Sequence, residues 1–414
     1  MKKLFLLFLA GLAGVAAFAQ PFSAYQEIMA DVERAGGGYY MYPTDQPAPT
    51  AAPKGYKPFY VSHIGRHGAR FALGGTIYED ILAVARKAHE NGWLTPEGEQ
   101  FYQEYESLYP SLAKREGILT GKGQRQHRFI AAQLYRNYPS LFKGKTRACA
   151  VSTVSHRVIA SMFSFLNELT VLDKDFTYEA DYSYPHQNYL SPDVIDSSAD
   201  RDGGREKMVR FREGLVDSKN ILARWFTRTD SLTNNPYNFL ANLHTLVSSL
   251  DNLDCPVPEH MYSLFTAQER YAIWQGRNYR DYQLLGCSPD TQNARVKAMS
   301  RVVEDLVDKA REDWDNGVQL RLRFTHDSTM MPLLSYLGVN GMDARVENPL
   351  EVEQVWRNYH VPMACNLQLV FFRSKRNPDI LFQLLLNGRE ATLPLPMAAP
   401  GSFYRWEDFK TLVH

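Results

Sequence analysis

From Gly65 to Arg70 the chain reads Gly-Arg-His-Gly-Ala-Arg. One imidazole, His67, lies between two guanidiniums, Arg66 and Arg70. Together the two arginines offer about ten N–H donors and two permanent charges, a match for a phosphate dianion. Positive charge on both sides disfavours the imidazolium, so His67 is expected to be neutral. A neutral imidazole facing a held phosphate is a nucleophile. Two further segments could join it. Ser152-Thr-Val-Ser-His-Arg157 supplies a third arginine, Arg157, and Thr325-His-Asp-Ser328 supplies His326 and Asp327. Expulsion of an alkoxide requires a proton donor, and Asp327 is the only carboxylate in these three segments.

Each segment follows the same layout of strand, polar tip and helix. Residues 58–64, Pro-Phe-Tyr-Val-Ser-His-Ile, are aromatic and β-branched and predict a buried strand. Residues 147–153 predict a short strand leading into a helix that begins near Ser155. Residues 318–324 alternate Val318, Leu320, Leu322 and Phe324 with polar partners, which predicts a half-buried strand. A helix over 330–337 follows it, capped by Gly338. In open α/β sheets ligands collect at the carboxyl ends of strands. If these three strands are neighbours, their tips meet at one edge.

The surrounding chain predicts helices over 25–33, 76–91 and 95–108, the last with Thr95 as N-cap and Pro96 at its first position. Leu119-Thr-Gly-Lys-Gly123 opens another helix, to about residue 138. Residues 186–295 are mostly helical, with polar loops at 188–202 and 252–259. Strands at 367–373 and 380–386 close the chain, with Asn387-Gly388 as a turn. The pattern is an α/β fold, a central mixed sheet flanked by helices, carrying an inserted α-helical cap. The core is assigned to 20–72, 118–185 and 296–414, and the cap to 73–117 and 186–295.

Among 414 residues, 46 basic side chains balance 46 acidic ones, so charge points to neither a nucleic-acid nor a membrane-surface partner. Lys2 and Lys3, the apolar run 4–16 and Ala17-Phe-Ala19 have the form of a signal peptide, residues 1–19, cut before Gln20. That predicts export to the periplasm or the extracellular space, with no membrane association after cleavage. Four cysteines, Cys149, Cys255, Cys287 and Cys365, allow three pairings in an oxidising compartment. Cys255 with Cys287 closes the shortest loop and is the preferred pair, with free buried thiols as the alternative.

The run Arg66-His67-Gly68-Ala69-Arg70, then Ser152 to Arg157, then His326-Asp327, resembles the histidine acid phosphatases, the phytase and acid phosphatase branch of the histidine phosphatase superfamily. Leu119-Thr-x-x-Gly123 resembles another segment of that family, and the likeness spans roughly residues 57–395. It implies that His67 attacks phosphorus to form a phosphohistidine. Arg66, Arg70 and Arg157 would hold the non-bridging oxygens, and His326 would be a further donor. Asp327 would protonate the leaving alkoxide and then activate water. No metal or cofactor is implied. The implied partner is a small phosphomonoester, an inositol phosphate such as phytate or a sugar phosphate, and a monomer is favoured. A phosphoryl mutase of the same superfamily and a non-catalytic phosphate-binding relative are the alternatives.

Two departures stand out. The family often has proline where this chain has Ala72, and inositol polyphosphate phosphatases often have His-Ala-Glu where this chain has His326-Asp-Ser328. Other features read as structural. His63 and His67 lack the helical context of a zinc pair. His63 is expected to be a hydrogen-bonded neighbour of the pocket. His127 and His156 are expected to be satisfied or exposed. The basic stretch 201–224 could wall a polyanion site, but its interspersed acids favour a solvated, ion-paired helix face.

Overall fold

The computed structural model describes residues 23–192, 194 and 204–412. The expected signal peptide, and Arg201 of the basic stretch, lie outside the described residues.

The centre is an eight-stranded mixed sheet. Its strands are β1 (Tyr56–Arg66), β2 (Thr146–Ser152), β3 (Phe176–Asp181), β4 (Leu320–Thr325), β5 (Asn366–Ser374), β6 (Leu381–Leu386), β7 (Arg389–Glu390) and β8 (Phe403–Arg405). The order is β3-β2-β4-β1-β5-β6-β7, with β8 also on β6. From β3 to β1 neighbours are parallel, and from β1 onward antiparallel. Strand β1 is where the two halves join, and parallel pairing there needs both faces covered.

Both faces are covered. Val61, Leu320, Leu322 and Phe324 pack with Ile130, Leu134, Val158, Phe165 and Leu169 of the helices Gly121–Asn137 and His156–Leu172. Tyr60, Ile64, Leu367 and Leu369 pack on the opposite side with Val302, Leu306, Met330 and Leu334, from the helices Ser300–Asp315 and Asp327–Leu337. A third apolar cluster joins the helices Ile77–Glu90 and Pro96–Leu108 to residues 221–273. Helix Ala267–Leu285 reaches both sides of that division: Ile273 packs in the third cluster, Tyr279 and Tyr282 in the core beneath the sheet.

The expected mixed sheet with helices on its faces and an α-helical cap is the observed architecture. Several local expectations need correction. β4 is not half-buried. Of its polar positions Arg323 is buried and Arg321 part-buried, and both are neutralised by helix Ser300–Asp315. Arg321 pairs with Asp313, and Arg323 Nε donates to Asp305 Oδ2 at 2.6 Å. Alternation was read as a wet face, but a buried face can alternate when its charges are matched. The helix expected from 330 begins at Asp327, with His326 as N-cap, and ends as expected at Gly338 (φ 64°). Strands β3, β7 and β8 were not anticipated. β3 is an edge strand, exposed over most of its length, without the apolar run that marks β1.

No disulfide links the four cysteines; all are free thiols. Cys255 packs beside the third cluster, and Cys287 Sγ faces the Ser335 carbonyl at 3.8 Å. The 19-residue helix Ala267–Leu285, roughly 28 Å long by its rise, runs between them in sequence and parts them in space.

Candidate active site

β2, β4 and β1 are adjacent and parallel, so their carboxyl ends share one edge. Arg66 stands beside Thr325 in the ladder, and Ser152 beside Phe324. Beyond the last pairs, the His67 amide donates to the Thr325 carbonyl at 2.9 Å and the Thr153 amide to the Phe324 carbonyl at 3.3 Å. The three polar segments therefore leave the sheet side by side.

The loop after β1 is clamped by the start of helix Gly121–Asn137. Arg70 forms a bridge with Leu119. The Ala69 carbonyl accepts from the Thr120 amide at 2.9 Å and its hydroxyl at 3.1 Å. The Ala69 amide donates to Gln126 Oε1 at 2.7 Å. Backbones meet so closely that a Cβ on Gly68 would lie 2.4 Å from the Gly123 carbonyl oxygen, and one on Gly123 would lie 2.3 Å from that of Ala69. Both glycines are required by contact. The Gly68 amide donates to Ser161 Oγ at 3.1 Å, tying the loop to helix His156–Leu172 as well. Ala72 gives the departure from proline a physical reason. Its amide donates to Tyr78 Oη at 2.7 Å, a bond that proline cannot make.

His67 is buried, and its Nδ1 lies 2.9 Å from the Gly68 carbonyl. A carbonyl only accepts, so Nδ1 carries the hydrogen and the lone pair is on Nε2. Burial first, then Arg66, Arg70, His326 and Arg157, hold His67 well below the usual imidazole range. The ring is neutral, as a nucleophile must be. The rings of His67 and His326 are 5.7 Å apart.

Arg66 Nη1 donates to the Gly38 carbonyl at 2.6 Å and to Val361 at 2.9 Å, and its Nη2 to Asp327 Oδ2 at 2.8 Å. Arg70 Nη1 donates to the Phe71 carbonyl at 3.0 Å and to Tyr39 Oη at 3.3 Å. Arg157 Nη2 donates to His326 Nδ1 at 3.3 Å, which leaves the His326 hydrogen on Nε2, directed to Thr153 Oγ1 at 3.1 Å. In this arrangement His326 orients Arg157 and has no N–H to spare for an oxyanion. The Nε atoms of Arg66, Arg70 and Arg157 have no hydrogen-bond partner among the described residues. Donors in excess of acceptors are what an anion site requires.

Asp327 sits at the first turn of its helix. Its Oδ1 accepts from the Ser328 amide at 2.9 Å. Burial pushes its carboxyl up, but Arg66, Arg70 and His326 outweigh that and bring it down to about 2. About a third of the side chain, 32 %, remains open. It borders a cavity of about 510 Å³ that Leu73, Arg277, Arg280 and Arg295 also line. Another cavity, of about 660 Å³, continues past Ser328 to Arg295 and Arg301.

Every motif residue singled out from sequence thus falls in one cluster, joined by contact or by charge: His67, Arg66, Arg70, Arg157, His326 and Asp327. The others do not. His63 is buried beneath the loop, its Nδ1 3.2 Å from Gln368 Nε2. His127 is buried against Phe324, and His156 is exposed. Burial brings both His63 and His127 down to about 3. In the basic stretch, Lys207 pairs with Asp290, Arg210 with Glu206, Lys219 with Asp230 and Arg224 with Glu269, as an ion-paired surface should. Sequence reasoning missed Gly38, Thr153, Ser161 and Tyr39. In the run Gly36-Gly-Gly38 a Cβ on Gly37 (φ 58°) would meet the Asn358 side chain at 2.8 Å, and Gly38 presents its carbonyl to Arg66.

Residues 60–202 and 208–387, well over half the chain, match the model of the histidine phosphatase superfamily (branch 2). No curated protein sequence matches the chain. Solved structures share the fold at low identity. A multiple inositol polyphosphate phosphatase from Bifidobacterium longum, solved in complex with inositol hexasulfate, is 18% identical, with a TM-score of 0.73 over 92% of this chain and 97% of that one. The phytase from D. castellii is 17% identical, with a TM-score of 0.75 over 98% of this chain and 90% of that one. The Citrobacter braakii phytase is 12% identical, with a TM-score of 0.57 over 86% of this chain and 97% of that one. The chain belongs to the histidine phosphatase superfamily, branch 2, and is an enzyme of its histidine acid phosphatase type.

Proposed function

We propose that this enzyme hydrolyses phosphomonoesters through a phosphohistidine at His67. The observation that carries the reading is the neutral His67 ring, with its lone pair on Nε2, among three arginines that have unpartnered donors. The arginines would hold the phosphoryl oxygens and stabilise the charge spread over them in the transition state. Nε2 would attack phosphorus in line while Asp327 transfers its proton to the departing alkoxide. Asp327, now ionised, would take a proton from water as that water attacks the phosphohistidine and releases phosphate and free His67.

The substrate reading is an inositol phosphate, with sugar phosphates second. Arg277, Arg295 and Arg280, the last paired with Asp281, line a cavity with Asp327, and Arg301 joins Arg295 in the cavity past Ser328. Neither Arg295 nor Arg301 forms an ion pair with a described residue. A leaving group with several phosphates would meet them, and a plain alcohol would not. The third apolar cluster supports reading 73–117 and 186–295 as one cap over this cleft. Among the described residues no helix is long and apolar enough to cross a membrane.

The test is a panel at acidic pH that includes inositol hexakisphosphate, glucose 1-phosphate and a chromogenic phosphomonoester, with and without chelator. His67→Ala should lower turnover by roughly 10³-fold or more, and chelator should leave the wild type unchanged. Persistent turnover in His67→Ala removes the nucleophile assignment. Isomerised phosphate esters in place of released phosphate would favour the mutase.

A further inference from the structure

Tyr39 ends the 3₁₀ helix Val32–Tyr39, one residue after the carbonyl that holds Arg66. Its side chain is buried, 8 % exposed. The Arg70 guanidinium lies over its ring, 4.9 Å from the centroid. Arg70 Nη1 donates to Tyr39 Oη at 3.3 Å, and the Leu73 amide donates to the same oxygen at 3.1 Å. Two N–H groups thus occupy the acceptor side of the phenol oxygen. Its own hydrogen is the remaining capacity, and no described residue accepts it. A buried donor left unmade is costly, so the arrangement suits an acceptor that arrives with the substrate.

The neighbourhood identifies that acceptor. Tyr39 shares Arg70 with His67, whose ring feels the same charge, and it feels the charges of Arg66 and Arg157 as well. Burial pushes its phenol up, yet Arg70 and then the Leu73 amide and Arg277 bring it below the ordinary value. A more acidic phenol is a stronger donor to an oxyanion.

We propose that Tyr39 Oη donates a hydrogen bond to a non-bridging oxygen of the transferring phosphoryl group, beside the oxygen held by Arg70. This rests on the reading of the site as a phosphoryl-transfer centre. The same hydroxyl fixes Arg70 by accepting from it, so one side chain both presents the guanidinium and adds a neutral donor. As charge settles on the phosphoryl oxygens the bond strengthens, and its loss falls on kcat more than on KM.

Tyr39→Phe keeps the ring, the stacking with Arg70 and the packing, and removes only the oxygen. Its kcat should drop about 10- to 100-fold, the scale of a hydrogen bond to a charged group, with KM changed less than threefold. Inhibition by orthovanadate, which mimics the five-coordinate phosphorus, should weaken by a similar factor, and inhibition by inorganic phosphate by less. Values of kcat and vanadate inhibition within twofold of wild type overturn the proposal. A uniform loss of phosphate and vanadate affinity at unchanged kcat also overturns it, because that pattern marks a ring that only supports Arg70. Should Tyr39→Phe not fold, 3-fluorotyrosine placed at position 39 alone keeps the oxygen. Its fluorine resonance should move when orthovanadate saturates the enzyme, and an unmoved resonance rejects the contact. Absence of phosphatase activity in the wild type would instead reject the reading of the site, so the two failures are distinct.

Discussion

Two sets of arginines, one along β4 and one at or just beyond the ends of β1 and β2, are handled in opposite ways. On β4, Arg321 and Arg323 point into the layer below the sheet, and each has its own carboxylate, Asp313 and Asp305. At the end of the sheet, Arg66, Arg70 and Arg157 share one carboxylate, Asp327, which bonds only Arg66. The first set is neutral and closed. The second carries surplus positive charge and unpartnered donors. Burying a charge without its partner costs several kcal/mol, so under the proposed function the surplus is a stability cost tolerated for anion binding.

The contrast is sharpest in a pair of variants. Arg157→Ala removes one of the surplus charges. Its kcat/KM should fall by about 10²–10³, the scale of a lost transition-state donor, while the melting temperature holds or rises. Arg323→Ala strands Asp305 and Ser62. It should cost about 3 kcal/mol of stability, with kcat per folded molecule near wild type. Denaturant titration beside steady-state kinetics on both proteins reads the two effects. If Arg157→Ala destabilises as much as Arg323→Ala, the distinction between closed and open charge fails.

Protonation divides the molecule in a related way. Asp327, brought down to about 2, must be protonated to serve as acid. Bound phosphate, a negative neighbour, raises it. Activity on alkyl phosphates should therefore rise as pH falls from 7 towards 4, and Asp327→Asn should abolish that rise and slow turnover by about 10²–10⁴. Stability runs the other way. His63, His127 and His360 stay neutral down to about 3, and His326 to about 4, against an ordinary 6.5. Below 6.5 the unfolded chain binds protons that the folded chain refuses, so stability falls as pH drops from 6.5 towards 3. Asp327 adds its own loss only between 3.8 and about 2. Melting temperatures at pH 7, 5.5 and 4 should decline steadily. A flat series would mean that these histidines are open to protons, against their burial.

The same division separates what the sequence made legible. The open charges were visible because their chemistry is local. Arg66-His67-Gly68-Ala69-Arg70 packs the proposed nucleophile and its donors into five residues, and Gly68 and Gly123 mark a close backbone approach. The alternation of strand and helix exposed the sheet that brings the tips together. The closed charges were misread, because Arg321 and Arg323 look like a wet strand face until Asp305 and Asp313 are known to lie opposite. Partners on another element leave no trace in a local window. For the same reason Tyr39 and Gly38 were missed. They come from a turn-rich stretch about 28 residues before Arg66 and meet it only through the fold. The helix start at Asp327 was placed late because Asp327, Ser328 and Thr329 are weak helix formers whose side chains suit a first turn.

The smallest expected effect separates the cavity at Asp327, and the one past Ser328, from the proposed phosphoryl site. Arg295 lines both cavities and has no ion pair with a described residue. If it meets a remote phosphate, it binds ground state and transition state alike, so its loss raises KM and spares kcat. Arg295→Ala should raise KM for inositol hexakisphosphate by about 3- to 10-fold, since an exposed charge contact is worth about 1 kcal/mol. KM for a monophosphate with an uncharged leaving group should not move. The effect should shrink as salt rises and the Debye length shortens. Equal changes for both substrates would put Arg295 in service of the phosphoryl pocket, and the cleft beyond Asp327 would then carry no preference for polyanions.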